Sequence, residues 1–298
     1  MNALNYWAEH GAETPRPPLQ IEKYFSTLLG RVIGPVFLPL TIDGSSESVD
    51  FHRELSFLVD AFDQFPHRVD LAFDAVWKAV DSGVKDMDGF GRDMTANLFD
   101  LSVRVDDSPY RPAMLALIDN SPQQLWEFVL KHVLCDSTGQ AARRLLNPKG
   151  SPPEDDHITR LFSVLISRYA LDEQPTADQL RKASRLLRLV MRGTDGVEVN
   201  GERLDVREVD RIFIYLSGCL YTLRNTRFHG SMPSPFTSSE ATLDTFTLPY
   251  HAFLSAYFLY LLTAKERGHL PTATADQIGA NAVTNLDRAR TAMKRHWG

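Results

Sequence analysis

The chain has 298 residues, a formal net charge of −6 and 43% hydrophobic residues. This composition excludes a disordered, collagen-like or disulfide-stapled chain and fits a globular protein long enough for two domains. The charge is uneven: residues 1–140 carry 11 Lys and Arg against 21 Asp and Glu, whereas residues 141–298 carry 21 against 17, so a polyanion is expected to meet the C-terminal part.

The first residues, "MNALNYWAEHGAETPRPP", lack the basic start and apolar run of a signal peptide, and the expected setting is a reducing cytoplasm. "QIEKYFSTLLGRVIG" reads as a helix, and "PVFLPLTI" is the one good strand candidate of the N-terminal part, although Pro39 interrupts it. Helical patterns follow in "VDFHRELSFLVDAFDQF", "HRVDLAFDAVWKAVDSG", "RDMTANLFDLSVRV" and "SPQQLWEFVLKHVL", the last starting with a Ser121 cap and Pro122 at the first helical position. Trp77 and Trp126 suit core packing. "LLNPKGSPPEDD", residues 145–156, combines three prolines, a glycine and three acids and is the expected domain boundary.

Beyond it, "DDHITRLFSVLISRYAL" and "TADQLRKASRLLRLVMRG" read as amphipathic helices. Asp155, Asp156 and His157 could suggest metal ligands, but acids at a helix start are favoured by its dipole, and capping is the expected role. Arg181, Arg185, Arg188 and Arg192 fall at spacings of four, three and four, a basic stripe on one helix face. Such a stripe is a solvated face or a phosphate track. "GVEVNGERLD" places Asn200-Gly201 between two short alternating runs, the pattern of a β-hairpin. In "VREVDRIFIYLSGCLYTLRNTRF", Val209, Ile212, Phe213, Leu216, Leu220 and Leu223 form a helical stripe. "YHAFLSAYFLYLLTAK", Tyr250 to Lys265, is apolar on most faces and therefore central; it is shorter than the ~20 residues a membrane span needs, so no membrane partner is expected. Cys135 and Cys219 sit in apolar helical patterns without CxxC or histidine neighbours, as core thiols do. No dinucleotide-binding, P-loop or Ser-His-Asp signature is present.

"LRNTRFHG", residues 223–230, puts Arg224 five residues before His229 at the end of the stripe, with Gly230, Pro233 and Pro235 marking the helix stop. Arg290 and His296 in "RTAMKRH" meet a looser version of the spacing and are read as a frayed basic C-terminus. With a polar Asn225 after the arginine and Phe228 before the histidine, "LRNTRFHG" resembles the R-x4-6-H signature of HEPN ribonucleases, and the likeness extends to the helical layout of about residues 153–265. The helical patterns give an all-α expectation, with a helical bundle over 153–298 that includes a small inserted hairpin and that the resemblance makes HEPN-like; the resemblance does not reach residues 1–140, and the mostly helical acidic domain over 1–147 has no family that the sequence places.

The resemblance further implies a defence or toxin endoribonuclease needing neither metal nor cofactor, with Arg224 and His229 as catalytic residues. Histidine exchanges protons near neutrality, and arginine stays cationic and grips phosphate with paired donors. Five helical residues turn 500°, leaving His229 about 140° from Arg224, so the site needs a distorted helix end or, as in that family, a homodimer pooling two motifs. Asn225 is expected to orient the histidine or a phosphate oxygen and Arg227 to add an RNA contact; both could equally be solvated. The Ser/Thr/Pro loop 231–242 would line the RNA path or merely connect helices; from its charge alone, which would repel RNA, the acidic N-terminal domain is expected to sense, to inhibit or to bind a partner such as an antitoxin or an activating protein. The contrasting expectation is a non-catalytic HEPN-like scaffold that dimerises or binds a protein or nucleotide, with Arg224 capping helix carbonyls and His229 packing beside Phe228.

Overall fold

The computed structural model describes residues 18, 20–30, 34–43, 46–91, 93–134, 139–146, 157–171, 174–193, 197–199, 202–230 and 241–297. The expectations placed on Cys135, Asp155, Asp156, Asn200, Gly201, residues 147–156 and residues 231–240 lie outside these. The described chain is mostly helical. The first seven helices are α1 Gln20–Leu29, α2 Val49–Gln64, α3 Val69–Lys85, α4 Met94–Asp106, α5 Arg111–Asp119, α6 Gln123–Leu134 and α7 Gln140–Leu146. They are followed by α8 His157–Tyr169, α9 Ala177–Met191 and a hairpin of β1 Val197–Val199 and β2 Glu202–Leu204, antiparallel with Val197 opposite Leu204. One long helical run then passes from α10 Glu208–Phe213 through a π-helical stretch, Ile214–Tyr221, into α11 Thr222–Phe228; α12 Thr247–Glu266 and α13 Ala275–Met293 complete the set.

Every residue of α12 from Pro249 to Ala264 is buried. A helix without a polar face must be covered all round, and helices from both ends of the chain cover it. Gly83 of α3 makes the closest approach: a Cβ there would lie 3.1 Å from Thr263 Oγ1 and 2.8 Å from Arg267 Nη2. Glu54 of α2, wholly buried, receives two hydrogen bonds from Arg267, one of 2.9 Å from Nη1. A single apolar cluster includes Phe73 and Trp77 of α3, Phe162 of α8, Phe213 of α10 and Phe258 of α12. The expected division into units 1–147 and 153–298 therefore does not separate two cores; the N-terminal helices are part of the coat that α12 requires.

Residues 35–42, the strand candidate "PVFLPLTI", form neither helix nor strand. Pro35 and Pro39 have no N–H to give a ladder, and side chains of α12 and α13 satisfy the backbone instead. Leu38 donates to Asn285 Oδ1 at 2.7 Å and accepts from Asn281 and Asn285, while Leu40 N–H donates to the Tyr257 hydroxyl at 2.9 Å. Phe37 packs edge-on against Phe253 and Tyr257, both at 5.1 Å between ring centres.

The apolar stripe expected over 209–223 is broader than a stripe, since Asp210 to Leu220 are all buried. The π-helical stretch, whose bonds run i→i+5, resets the angular phase that a period of 3.6 assumes. Leu145 fits against Gly218, whose added Cβ would meet its methyls at 3.3 and 3.5 Å. Facing α12, the Tyr215 hydroxyl lies 2.8 Å from His251 Nε2 and also hydrogen-bonds Ser255. The C-terminus is docked rather than frayed: after α13, Trp297 is buried and donates to Asn120 O at 2.6 Å, and His296 Nδ1 lies 2.6 Å from Asp244. Lys294 takes φ +39° to make this turn, and indole burial outweighs the strain.

A fragment beginning at residue 153 would lose the α2 and α3 cover of α12, and gel filtration will show it aggregated. Acid should also weaken the fold through one residue. Burial, with the nearby Arg188 charge, holds His251 down to about 3. The unfolded chain binds a proton at ~6.5, so between pH 6.5 and 3 acidification removes stability at up to about 1.4 kcal/mol per unit, and above 6.5 the effect vanishes. Urea midpoints at pH 7 and pH 5 will differ less in His251→Phe than in the parent.

Candidate functional site

Helix α11 carries the motif, and its last turn is regular. His229 N–H bonds Asn225 O at 3.0 Å, the i→i−4 pattern, with His229 as the C-cap at φ −85° and ψ 5° and Gly230, at φ +70°, bonding Arg227 O. This removes the distorted helix end as a means of bringing arginine and histidine together within one chain. The directions of Arg224 and His229 stay about 140° apart.

Arg224 is three-quarters covered, its side chain 23% exposed. The guanidinium carbon lies 4.5 Å from the Phe228 ring centre and 5.9 Å from that of Tyr221, an arrangement that orients a planar cation without neutralising it. Nη1 donates to Asn225 Oδ1 at 2.9 Å, and Nη2 reaches the Asp81 carboxylate only at 4.0 Å. Asn225 thus holds the arginine, whereas the expected partner was the histidine or a phosphate oxygen. His229, at the helix cap, is exposed, and so is its neighbour Phe228, which leaves the imidazole open to solvent rather than packed into the core.

Arg227 does something the sequence did not indicate. Its side chain is 9% exposed and grips Asp74 with two hydrogen bonds of 2.7 and 2.6 Å, with a third to Asp70 at 3.3 Å. Burial works against its charge, but the hydrogen bonds and charge of Asp74 and then Asp70 outweigh this and raise its pKa. Asp70 is wholly buried and also receives Arg68 at 3.1 Å. The guanidinium expected to touch RNA is instead a tie between the motif helix and α3. Nothing local signals such a partner 153 residues away.

Arg224 forms one edge of an open pocket of about 460 Å³ between α2, α3 and α11, together with Arg53, Trp77, Lys78, Lys85 and Phe228. The net charge of the N-terminal half conceals these cations; the signal present in the sequence is Lys78 and Lys85, seven residues apart on one face of α3. The Arg181–Arg192 stripe is not uniform. Arg181 and Arg185 are exposed, Arg192 donates to Asp119 O at 2.9 Å, and Arg188, half-buried, is pushed down to about 10 by burial and by Arg192 and Arg290. Cys219 is buried and its thiol pushed well above the ordinary range by desolvation, as befits a core residue.

No family model matches this chain, and comparison with curated proteins and with solved structures gives no match. Among the described residues no helix is long and apolar enough to cross a membrane.

Removing one member of a buried ion network strands the other, at a cost of about 3 kcal/mol. Arg227→Met is therefore expected to lower unfolding free energy by about that much in urea titrations. Arg227→Lys, without the fork geometry, will recover less than half.

Proposed function

We propose that the protein is a metal-independent endoribonuclease of HEPN type, in which two chains pool their Arg224 and His229 residues. The observation that carries this reading is the state of Arg224: a guanidinium caged by two aromatic rings, at the edge of a cation-rich pocket, with no carboxylate among the described residues closer than 4.0 Å. An arginine meant only to brace the fold would resemble Arg227, which is locked by carboxylates. Arg224 is held in place with bonding capacity to spare for a phosphate.

In the proposed reaction a ribose 2′-oxygen attacks the adjoining phosphorus as one His229 imidazole takes its proton. The bond from phosphorus to the 5′-oxygen breaks, and the second imidazole, as imidazolium, protonates that leaving oxygen. The Arg224 guanidinium offsets charge on the non-bridging oxygens. The products are a 2′,3′-cyclic phosphate and a 5′-hydroxyl. Within one chain the regular helix end keeps the arginine and histidine apart, so the second copy is essential to the scheme. The same divergence favours a second reading, a non-catalytic HEPN-like scaffold that dimerises or binds a protein or nucleotide, if the two motifs do not meet.

Purified protein with EDTA is expected to cut total RNA into fragments ending in cyclic phosphate. His229→Ala and Arg224→Ala will each lower the rate about 10²–10⁴-fold and abolish any growth arrest on expression. Intact RNA with wild type, or equal cutting by wild type and His229→Ala, rejects the enzyme.

A further inference from the structure

Four cations line the pocket beside Arg224, counting Arg224 itself, and two carboxylates, Asp81 and Asp86. Both carboxylates have cationic partners: Asp81 holds Lys85 at 2.8 Å, and Asp86 lies 3.9 Å from Arg267 behind the pocket. Lys78, exposed, has its ammonium 5.7 Å from the Phe57 ring centre and, among the described residues, no carboxylate within 4.0 Å. Arg53 is 54% exposed, meets the equally exposed Asp50 at 2.8 Å and donates to Ser82 at 3.2 Å. Arg53 and Lys85 are thus each paired with a carboxylate, and the pocket's positive charge is least compensated at Lys78 and Arg224.

Phe228, 45% exposed, and Lys78 stand between this pocket and a second one of about 470 Å³, which is also lined by Asp60, Asp63, Asp74 and Arg227. With Asp74 clasped by Arg227, Asp60 and Asp63 make the second pocket the less favourable approach for a polyanion, so a strand reaching Arg224 is expected to come over Arg53, Lys78 and Lys85. The exposed Phe228 ring stands at its edge as a stacking platform for a base.

We infer that this pocket is a substrate subsite that seats a backbone phosphate of single-stranded RNA next to the scissile one, with Arg53, Lys78 and Lys85 as its ligands. The inference rests on the ribonuclease reading for its substrate but concerns binding, which is separable from cleavage. It assigns the N-terminal helices to substrate capture, a role that the sequence's net charge argues against.

The test uses full-length protein in a His229→Ala background and a short fluorescein-labelled single-stranded RNA, with anisotropy read at several KCl concentrations. Arg53→Gln/Lys78→Gln is compared with Arg181→Gln/Arg185→Gln, which removes equal charge from the outer face of α9; circular dichroism melts confirm that both are folded. The pocket pair is expected to weaken binding about tenfold or more at low salt, and to reduce the slope of log affinity against log salt by ~0.7 for every phosphate that the variant no longer neutralises. The α9 pair is expected to change affinity less than about threefold. Equal weakening by both pairs, an unaffected pocket pair, or no RNA binding by the parent each overturn the assignment. So does complete displacement of the RNA by micromolar nucleoside 3′-monophosphate, which would mark a mononucleotide pocket. Pocket-dependent binding with no cleavage by wild type would sink the ribonuclease and leave this site standing; cleavage with KM unchanged in the pocket pair would do the reverse.

Discussion

The fold depends on one constraint: α12 has no face that water can wet. A twenty-residue helix buried on every side needs neighbours all around it, and no run of sequence on one side of it supplies enough. The chain therefore folds back, with α2, α3 and the 36–40 segment on some sides and α13 and the π-helical stretch on others. Burying such side chains is worth roughly 1.5–3 kcal/mol each, far more than any surface ion pair. The polar ties at the margins, Glu54 with Arg267 and Asp70 and Asp74 with Arg227, then fix which neighbour sits where. They act as registration pins more than as sources of stability.

This constraint determines the setting of the motif. Because α3 must lie along α12, its carboxylates reach Arg227, and its Lys78 and Lys85 face the same pocket as Arg224. A segment whose charge suggests that it avoids nucleic acid is thus placed beside the residue proposed to meet phosphate. Local charge, not the sum over 140 residues, governs the field at such a site, since screening confines the influence of exposed charges to about 8–10 Å.

Much of the helical layout was legible because long periodic segments carry a strong local signal. The buried character of Tyr250–Ala264, the pairing of Val197–Val199 with Glu202–Leu204 and the helix end at Phe228, shortly before Gly230, all follow from local pattern and punctuation. The boundary at 145–156 was read from composition alone, which says nothing of long-range packing, and the helices on its two sides contribute to one apolar cluster. Arg227 could not be told from Arg224 by sequence. Both are arginines in one helical turn, three residues apart, yet one faces carboxylates 153 residues earlier and the other an open pocket. Pro35 and Pro39 gave a hint that "PVFLPLTI" would not join a sheet, but its actual partners, Asn281 and Asn285, carry no local signature.

The π-helical stretch acts as an angular gear for everything after it. One residue added to or taken from a helix swings all later side chains by about 100° around its axis, and Ile214–Tyr221 sits just upstream of the motif. The choice of which arginine is clasped by α3 and which looks outward is set in this wide-turned stretch, where Gly218 lets Leu145 press close. A lineage that gained or lost a single codon there would turn both arginines away from their present partners without altering a letter of "RNTRFH".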